Sequence, residues 1–190
     1  MAQTKKDGVR DAILAAAFRQ FTERGYVETS IPAVAREAGI STANVYVYFK
    51  SKIEILYTLY EPWLLERLDR VERSLSRVKT RRERFQRLLV ALWRELPRDS
   101  NGFANNVMQA LSTSGSEEYS PHLRETVQTR VGGWLADCLS LPADDGRRLA
   151  GVLLMAFDGY AMNAHLGRGV VCDAKTLGLV GDMLAGSVEA

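Results

Sequence analysis

The chain has 190 residues, 46% of them hydrophobic, and a formal net charge of +2, which is sufficient for a real core in one compact unit or in a small domain joined to a larger one. Cys138 and Cys172 match no metal-ligand spacing, so neither a disulfide framework nor a metal site is expected. Apolar runs such as Val152 to Phe157 are too short to cross a bilayer, and the charged N-terminus is unlike a signal peptide. We expect a reduced, cytoplasmic protein with no membrane segment and no cofactor.

Charge is distributed unevenly along the chain. Residues 1–65 carry 8 basic and 7 acidic side chains, residues 66–98 carry 11 and 5, and residues 99–190 carry 6 and 11. An early basic excess favours a polyanionic partner, although a solvated helix face is the commoner explanation. The acidic balance of the last part is compatible with a cationic ligand and equally with ordinary surface charge.

Apolar periodicity predicts helix for nearly the whole chain, with about nine helices and no strand, and therefore an all-α fold. The first helix ends at Gly25, which suits a left-handed cap. Ser30 is predicted to cap a short second helix with Pro32 in its first turn, and Ser41 to cap a third after a turn at Gly39.

A capping box formed by Ser51 and Glu54 opens the fourth predicted helix, whose apolar period runs to Val78. Pro62 is expected to kink or divide this helix, because it removes a backbone hydrogen bond and crowds the preceding turn. Further helices are predicted over 85–96, 103–111, 121–139, 143–166 and 173–188.

The segment Ser41–Lys52 has the layout of the reading helix of a helix-turn-helix. An α-helix fits the major groove of DNA, and the short side chains of Thr42, Ala43 and Asn44 let its N-terminus come close to the bases. Asn can form a bidentate contact with adenine, and the methyl groups of Thr42, Ala43 or Val47 can touch thymine. The alternative is that Asn44 only serves the helix cap.

The rest of this helix is predicted to hold the phosphate backbone. Tyr46, Tyr48 and Lys52 suit phosphate contacts, which fix register without reading sequence. Packing of the two tyrosines against the first helix is the alternative. Val45 and Phe49 are expected to point into the core.

Residues 9–56 resemble the DNA-binding domain of the TetR/AcrR family of bacterial transcriptional regulators. The resemblance rests on Ile-Leu-x-Ala-Ala at the first helix, Gly25-Tyr26, Ala38-Gly39-Ile40-Ser41, and the run from Val45 to Lys52. It implies a DNA-binding domain over 7–67, with its helix-turn-helix at about 30–49, and a ligand-binding and dimerisation domain over 68–190. Ser30 and Ser41, at the two helix starts, complete the predicted DNA-contacting set.

The resemblance implies a homodimer that pairs through its last two helices, binds a pseudo-palindromic double-stranded DNA operator, and is most simply a repressor released by a small-molecule effector. Pro32 departs from part of the family, in which a long polar or basic side chain at that place reads a base. The third helix is therefore expected to carry most of the readout.

The effector site is predicted from large apolar side chains and a few polar groups in the remaining chain. Any one of them is more often core than pocket lining. The candidates are Trp93, Phe103, Met108, Gln109, Trp134, Met155, Asp158, Tyr160 and Met162.

Twelve of the fifteen glycines lie in residues 99–190, many within presumed helices, which suggests close helix approach. Two other functions agree less well with this sequence. An all-helical enzyme is disfavoured because no HExxH, ExxH, GxSxG or phosphate-binding glycine loop is present. An architectural or protein-interaction role would use the DNA-binding head without an effector.

Overall fold

The computed structural model of the protein describes residues 2–98, 102–113, 122–165 and 172–186, without the side chains of residues 2–6, 103, 104, 161–165, 174 and 184–186. Within these ranges there are nine α-helices and no strand, which confirms the predicted all-α fold. None of the described helices has both the length and the apolar character needed to cross a bilayer.

The helix boundaries follow the sequence pattern closely. A π-helical turn, Ala91–Glu95, and a 3₁₀ turn, Leu96–Arg98, follow the fifth helix. The helices are α1 (Ala2–Glu28), α2 (Ile31–Glu37), α3 (Thr42–Tyr48), α4 (Lys52–Leu75), α5 (Arg81–Val90), α6 (Phe103–Thr113), α7 (His122–Leu139), α8 (Ala143–His165) and α9 (Ala174–Gly186).

The helices form two compact units. The first contains α1, α2, α3, the part of α4 up to Trp63, and α6; the second contains α4 from Leu64, α5, α7, α8 and α9. The division predicted at residue 67 was drawn from sequence continuity, which could not show that α6 packs with the first unit. The functional assignment of 7–67 and 68–190 stays a prediction.

The core of the first unit is built from side chains spaced three or four residues apart on its helices. Ile13, Phe21, Val34 and Val45 are at most 1% exposed. Gly25 interrupts α1 with φ 80° and ψ 169°, so the positive φ expected here is found, but in an extended glycine conformation within α1 and not as a left-handed helical cap at its end.

α4 is one helix with Pro62 inside it, so the proline does not divide the helix, while the expected kink at Pro62 stays a prediction. Proline fixes φ near the helical value and removes only one hydrogen bond. Tyr60 and Leu64 on either side are 1% and 4% exposed, and their burial compensates for that loss.

In the second unit, α7 and α8 approach each other at two glycines. A Cβ on Gly146 would lie 2.5 Å from the carbonyl oxygen of Gly132, and a Cβ on Gly132 would lie 2.8 Å from Cα of Arg147. Close helix approach, which the glycine content predicted, is confirmed at this crossing. Around it lies an apolar cluster that includes Leu88, Leu89, Val131, Leu135 and Ala150.

Candidate functional site

Local capping builds the helix-turn-helix. Ser30 Oγ accepts a hydrogen bond from Ala33 N at 3.3 Å, and Ser41 Oγ accepts one from Asn44 N at 3.2 Å. Each satisfies a backbone donor that a helix start leaves unpaired. Gly39, with φ 71°, turns the chain between the helices. Both predicted caps are confirmed, and Asn44 contributes its backbone N–H rather than the capping oxygen.

α3 divides its side chains between the core and the surface. Val45 and Phe49 are 0% and 2% exposed, which confirms them as its anchors. Ala43 is exposed, and Tyr46 and Val47 are 54% and 72% exposed. α3 therefore presents a surface that the first unit does not use for its own packing.

Three of the predicted contact residues lie at the margin of this surface. Thr42, Asn44 and Tyr48 are each half-buried, with Tyr48 packed partly against the apolar core. The structure therefore supports the packing alternative for Tyr48 more than for Tyr46. Contact of these residues with DNA stays a prediction.

Lys52, predicted as a phosphate contact, lies against the end of α1. Its Nζ donates hydrogen bonds to the carbonyls of Tyr26 at 2.8 Å and Thr29 at 2.9 Å, and lies 4.1 Å from the Tyr26 ring centroid. The lysine thus holds the chain that leads from α1 into α2. The structure gives it a positioning role that sequence spacing did not reveal, and its phosphate contact stays a prediction.

The start of α4 is fixed by the predicted capping box in a modified form. Ser51 Oγ accepts from Glu54 N at 3.2 Å, as predicted. The Glu54 carboxylate accepts from Lys50 N at 2.6 Å, one residue before the expected partner. These two hydrogen bonds therefore fix the short connection between α3 and α4.

Two polar side chains of α6 support α1 within the first unit. Asn106 is 1% exposed, and its Nδ2 donates to the Phe21 carbonyl at 3.2 Å and to the Tyr60 hydroxyl at 3.1 Å. Burial raises the pKa of Tyr60, and the hydrogen bond from Asn106 opposes that rise. Gln109 Oε1 accepts from Val27 N at 2.9 Å. Sequence reasoning missed this role of Gln109 because its partner lies 82 residues away.

The nine predicted effector residues are divided between the two units. Met108 is half-buried in the first unit beside Gln109, whereas Trp93 is buried in the core of the second and Met155 is 59% exposed. Large apolar side chains thus lie both in the core and at the surface, so their size and polarity alone did not identify the residues that line a pocket. The side chains of two others, Phe103 and Met162, lie outside the described residues.

The remaining candidates lie half-buried on α7 and α8. The Trp134 ring lies under the guanidinium of Arg130, 5.5 Å from its centroid. Asp158 accepts a hydrogen bond from Arg124 at 3.3 Å. Burial raises the pKa of Asp158, and the arginine opposes the rise. Tyr160 packs against the apolar cluster of the second unit.

A cavity of about 170 Å³ lies in the second unit, among α4, α5 and the π-helical turn. None of the seven predicted effector residues whose side chains the structure describes lines it. Its lining consists of Arg67, Arg70, Val71, Arg87, Ala91, Glu95 and Leu96.

A sequence profile described as bacterial regulatory proteins, tetR family, matches residues 13–57, the segment that holds the core of the first unit and the helix-turn-helix. Residues 13–57 are thus similar to the N-terminal segment of TetR-family regulators. This confirms the resemblance on which the sequence interpretation rested.

Two TetR-type relatives match the N-terminal part of the chain. The HTH-type transcriptional regulator HbdR of Aromatoleum sp. (strain CIB) is 36% identical over 85 residues, which are 44% of this chain and 35% of that protein. The fatty acid metabolism regulator protein of Bacillus subtilis (strain 168) is 29% identical over 72 residues, or 38% and 37% of the two chains. The matches thus span little more than a third of each relative's length.

Solved TetR-like structures match nearly the whole chain. FadR from Bacillus subtilis, in complex with stearoyl-CoA, shares 18% identity with a TM-score of 0.63, over 93% of this chain and 96% of that one. FadR from Bacillus halodurans, a fatty acid degradation regulator, shares 17% identity with a TM-score of 0.64, over 93% and 94%. At these identities the likeness shows the fold.

Proposed function

We propose that this chain is a homodimeric transcriptional repressor that binds a pseudo-palindromic DNA operator and is released by a small-molecule effector. The observation that carries the proposal is the exposed surface of α3. Val45 and Phe49 anchor the helix in the core, while Ala43, Tyr46 and Val47 face outward. A helix held in this way can enter the major groove without unfolding any part of the unit.

The contacts with DNA divide into two kinds. Thr42, Ala43, Asn44 and Val47 are proposed to touch base edges, and Tyr46 to bind phosphate, joined by Tyr48 at the margin. Ser30 and Ser41 accept backbone hydrogen bonds through an oxygen lone pair, so each hydroxyl proton is still available to a phosphate oxygen.

Exposed apolar side chains on the last two helices support a homodimer. On α8, Val152 and Met155 are 55% and 59% exposed; on α9, Leu179 and Met183 are 59% and 76% exposed. A Cβ at Gly178 would meet open space, so the α9 backbone is accessible there. Apolar side chains combined with small residues suit close packing of helices from a second copy.

The effector is proposed to be a molecule with a fatty acyl chain. Support comes from the likeness to the fatty acid metabolism regulator protein and to FadR bound to stearoyl-CoA. Release from DNA by such a molecule would separate this function from that of an architectural DNA-binding protein, whose binding would not respond.

The test is selection of bound fragments from the source genome, followed by binding measurements with a variant of α3. Ala43→Glu places a carboxylate in the first turn of α3, where the helix dipole favours it, so the fold is retained while phosphates are repelled. Thr22→Glu, on the exposed surface of α1, adds the same charge elsewhere. We expect wild type and Thr22→Glu to retain the selected fragments and Ala43→Glu to lose them. Equal binding by all three would contradict the proposal.

A further inference from the structure

The cavity in the second unit concentrates positive charge beside an apolar surface. Its charged lining consists of the guanidinium groups of Arg67, Arg70 and Arg87 and the carboxylate of Glu95. Val71, Ala91 and Leu96 supply the apolar part.

The arginines of this cavity form ion pairs with carboxylates at the protein surface. Arg70 donates to Glu66 at 2.5 Å, and Arg87 Nη2 donates to Glu95 at 2.8 Å, while Arg67 lies 3.6 Å from the Glu66 carboxylate. Glu66 and Glu95 are 54% and 53% exposed, so both ion pairs are open to water and readily exchanged for a ligand.

Arg87 has an unmet requirement. Its Nη1 is buried and has no hydrogen-bond acceptor in the part of the chain that the structure describes. A buried charged donor without a partner is costly, and an anionic oxygen removes that cost. The guanidinium fork suits a phosphate or carboxylate group, because two of its donors can bind two oxygens of one group.

The backbone at this cavity is also unusual. Ala91 and Glu95 belong to the π-helical turn that follows α5, a geometry found often at functional sites. The volume of about 170 Å³ is smaller than the 300 Å³ or more typical of pockets that enclose a whole drug-sized ligand. The cavity is therefore suited to one end of a larger molecule.

We infer that this cavity binds the anionic headgroup, a phosphate or a carboxylate, of an amphipathic effector whose apolar part continues over Val71, Ala91 and Leu96. The inference rests on the proposed effector-responsive function and specifies the charge that the effector carries. An anionic headgroup differs from the cationic ligand that the acidic balance of residues 99–190 allowed. The residues that line the cavity lie within 67–96, outside that acidic region.

The test compares three probes with one apolar chain and different heads: dodecyl phosphate, laurate and dodecanol. Titration calorimetry with the full-length protein should show at least one anionic probe binding about tenfold or more tightly than dodecanol, as one charge-assisted contact provides. Whichever of the two anionic probes binds more tightly identifies the head. The preference should decrease as salt is raised.

Arginine variants test whether the preference for anionic probes comes from this cavity. Arg87→Met and Arg70→Met should each weaken the anionic probe about tenfold and leave dodecanol unchanged. Arg82→Met is the matched control, since that arginine is 69% exposed, pairs with Asp182 and lies outside the cavity. Arg70 is 56% exposed, so we expect Arg70→Met to fold, and it can be measured even if Arg87→Met does not fold.

Three results would overturn the inference: wild-type protein binding dodecanol as tightly as both anionic probes, dodecanol weakened as much as the anionic probe in the variants, or Arg82→Met acting like the cavity variants. Each leaves an effector-responsive regulator possible. Failure of wild type to bind any of the three probes contradicts both this inference and the proposed acyl-chain effector.

Discussion

At the scale of single residues, α3 has buried side chains that anchor it and exposed side chains that are proposed to recognise DNA. Its cap at Ser41 and its buried side chains, Val45 and Phe49, depend on contacts within a few residues or on helical period, which is why the sequence predicted them. The role of Lys52 could not be predicted in this way. Its carbonyl partners, Tyr26 and Thr29, lie more than twenty residues away and are brought to it only by folding.

The division between reading and clamping predicts different outcomes for two neighbouring substitutions. Asn44→Ala would remove the proposed bidentate base contact, so it should cost about 1–3 kcal/mol on the preferred operator and little on operators changed at the adenine that Asn44 is proposed to read. Tyr46→Phe would remove the proposed phosphate hydrogen bond, so it should cost about 0.5–1.5 kcal/mol on every sequence. Competition binding against single-base operator variants measures both. A uniform loss for Asn44→Ala would assign it to positioning.

Lys52→Met tests the positioning role of the lysine. The variant keeps the side chain's length but removes two hydrogen bonds to carbonyls, so the free energy of unfolding should fall by about 1–2 kcal/mol. Lys50→Met is the matched control: its side chain is exposed, and the change should stay within about 0.5 kcal/mol. Denaturant titration compares the two variants. Unchanged stability with weaker DNA binding in Lys52→Met would instead show a phosphate contact.

At the scale of elements, the sequence predicted helix positions better than helix partners. Caps at Ser30 and Ser41 and the special backbone at Gly25 are local features, so α1, α2 and α3 were predictable. The packing of α6 was not, because it depends on Asn106 and Gln109 meeting α1 from 82 or more residues away. The predicted effector residues lie in both units for the same reason, because the type of a residue does not specify which unit its helix joins.

The crossing of α7 and α8 gives a prediction at this scale. Gly146→Ala places a methyl group within 2.5 Å of the Gly132 carbonyl, so it should destabilise the protein by about 1–3 kcal/mol. Gly133 follows Gly132 in α7, and a Cβ at Gly133 would meet nothing within 4 Å. Gly133→Ala should therefore stabilise the protein by up to about 1 kcal/mol through helix propensity. Thermal unfolding of both variants measures the difference. Similar effects for the two would show that the helices do not approach closely here.

At the scale of the whole molecule, the proposed repressor requires two copies. Met183→Glu adds a charge to an apolar side chain that is 76% exposed on α9, so it should produce a monomer in light scattering. Met183→Leu keeps the apolar contact and should remain dimeric. Operator affinity should fall about a hundredfold or more in the monomer, because the second head no longer binds as part of the same molecule. A dimeric Met183→Glu variant would exclude this part of α9 from the interface.

Footprinting of the wild-type protein on a selected genomic fragment, at about 0.15 M salt, tests sequence-specific DNA binding by α3 most directly. The account predicts two protected half-sites with centres about 34 to 36 Å apart, or a multiple of that distance, and binding about a thousandfold or more tighter than to a scrambled fragment. Uniform protection, with equal affinity for the scrambled fragment, would contradict it.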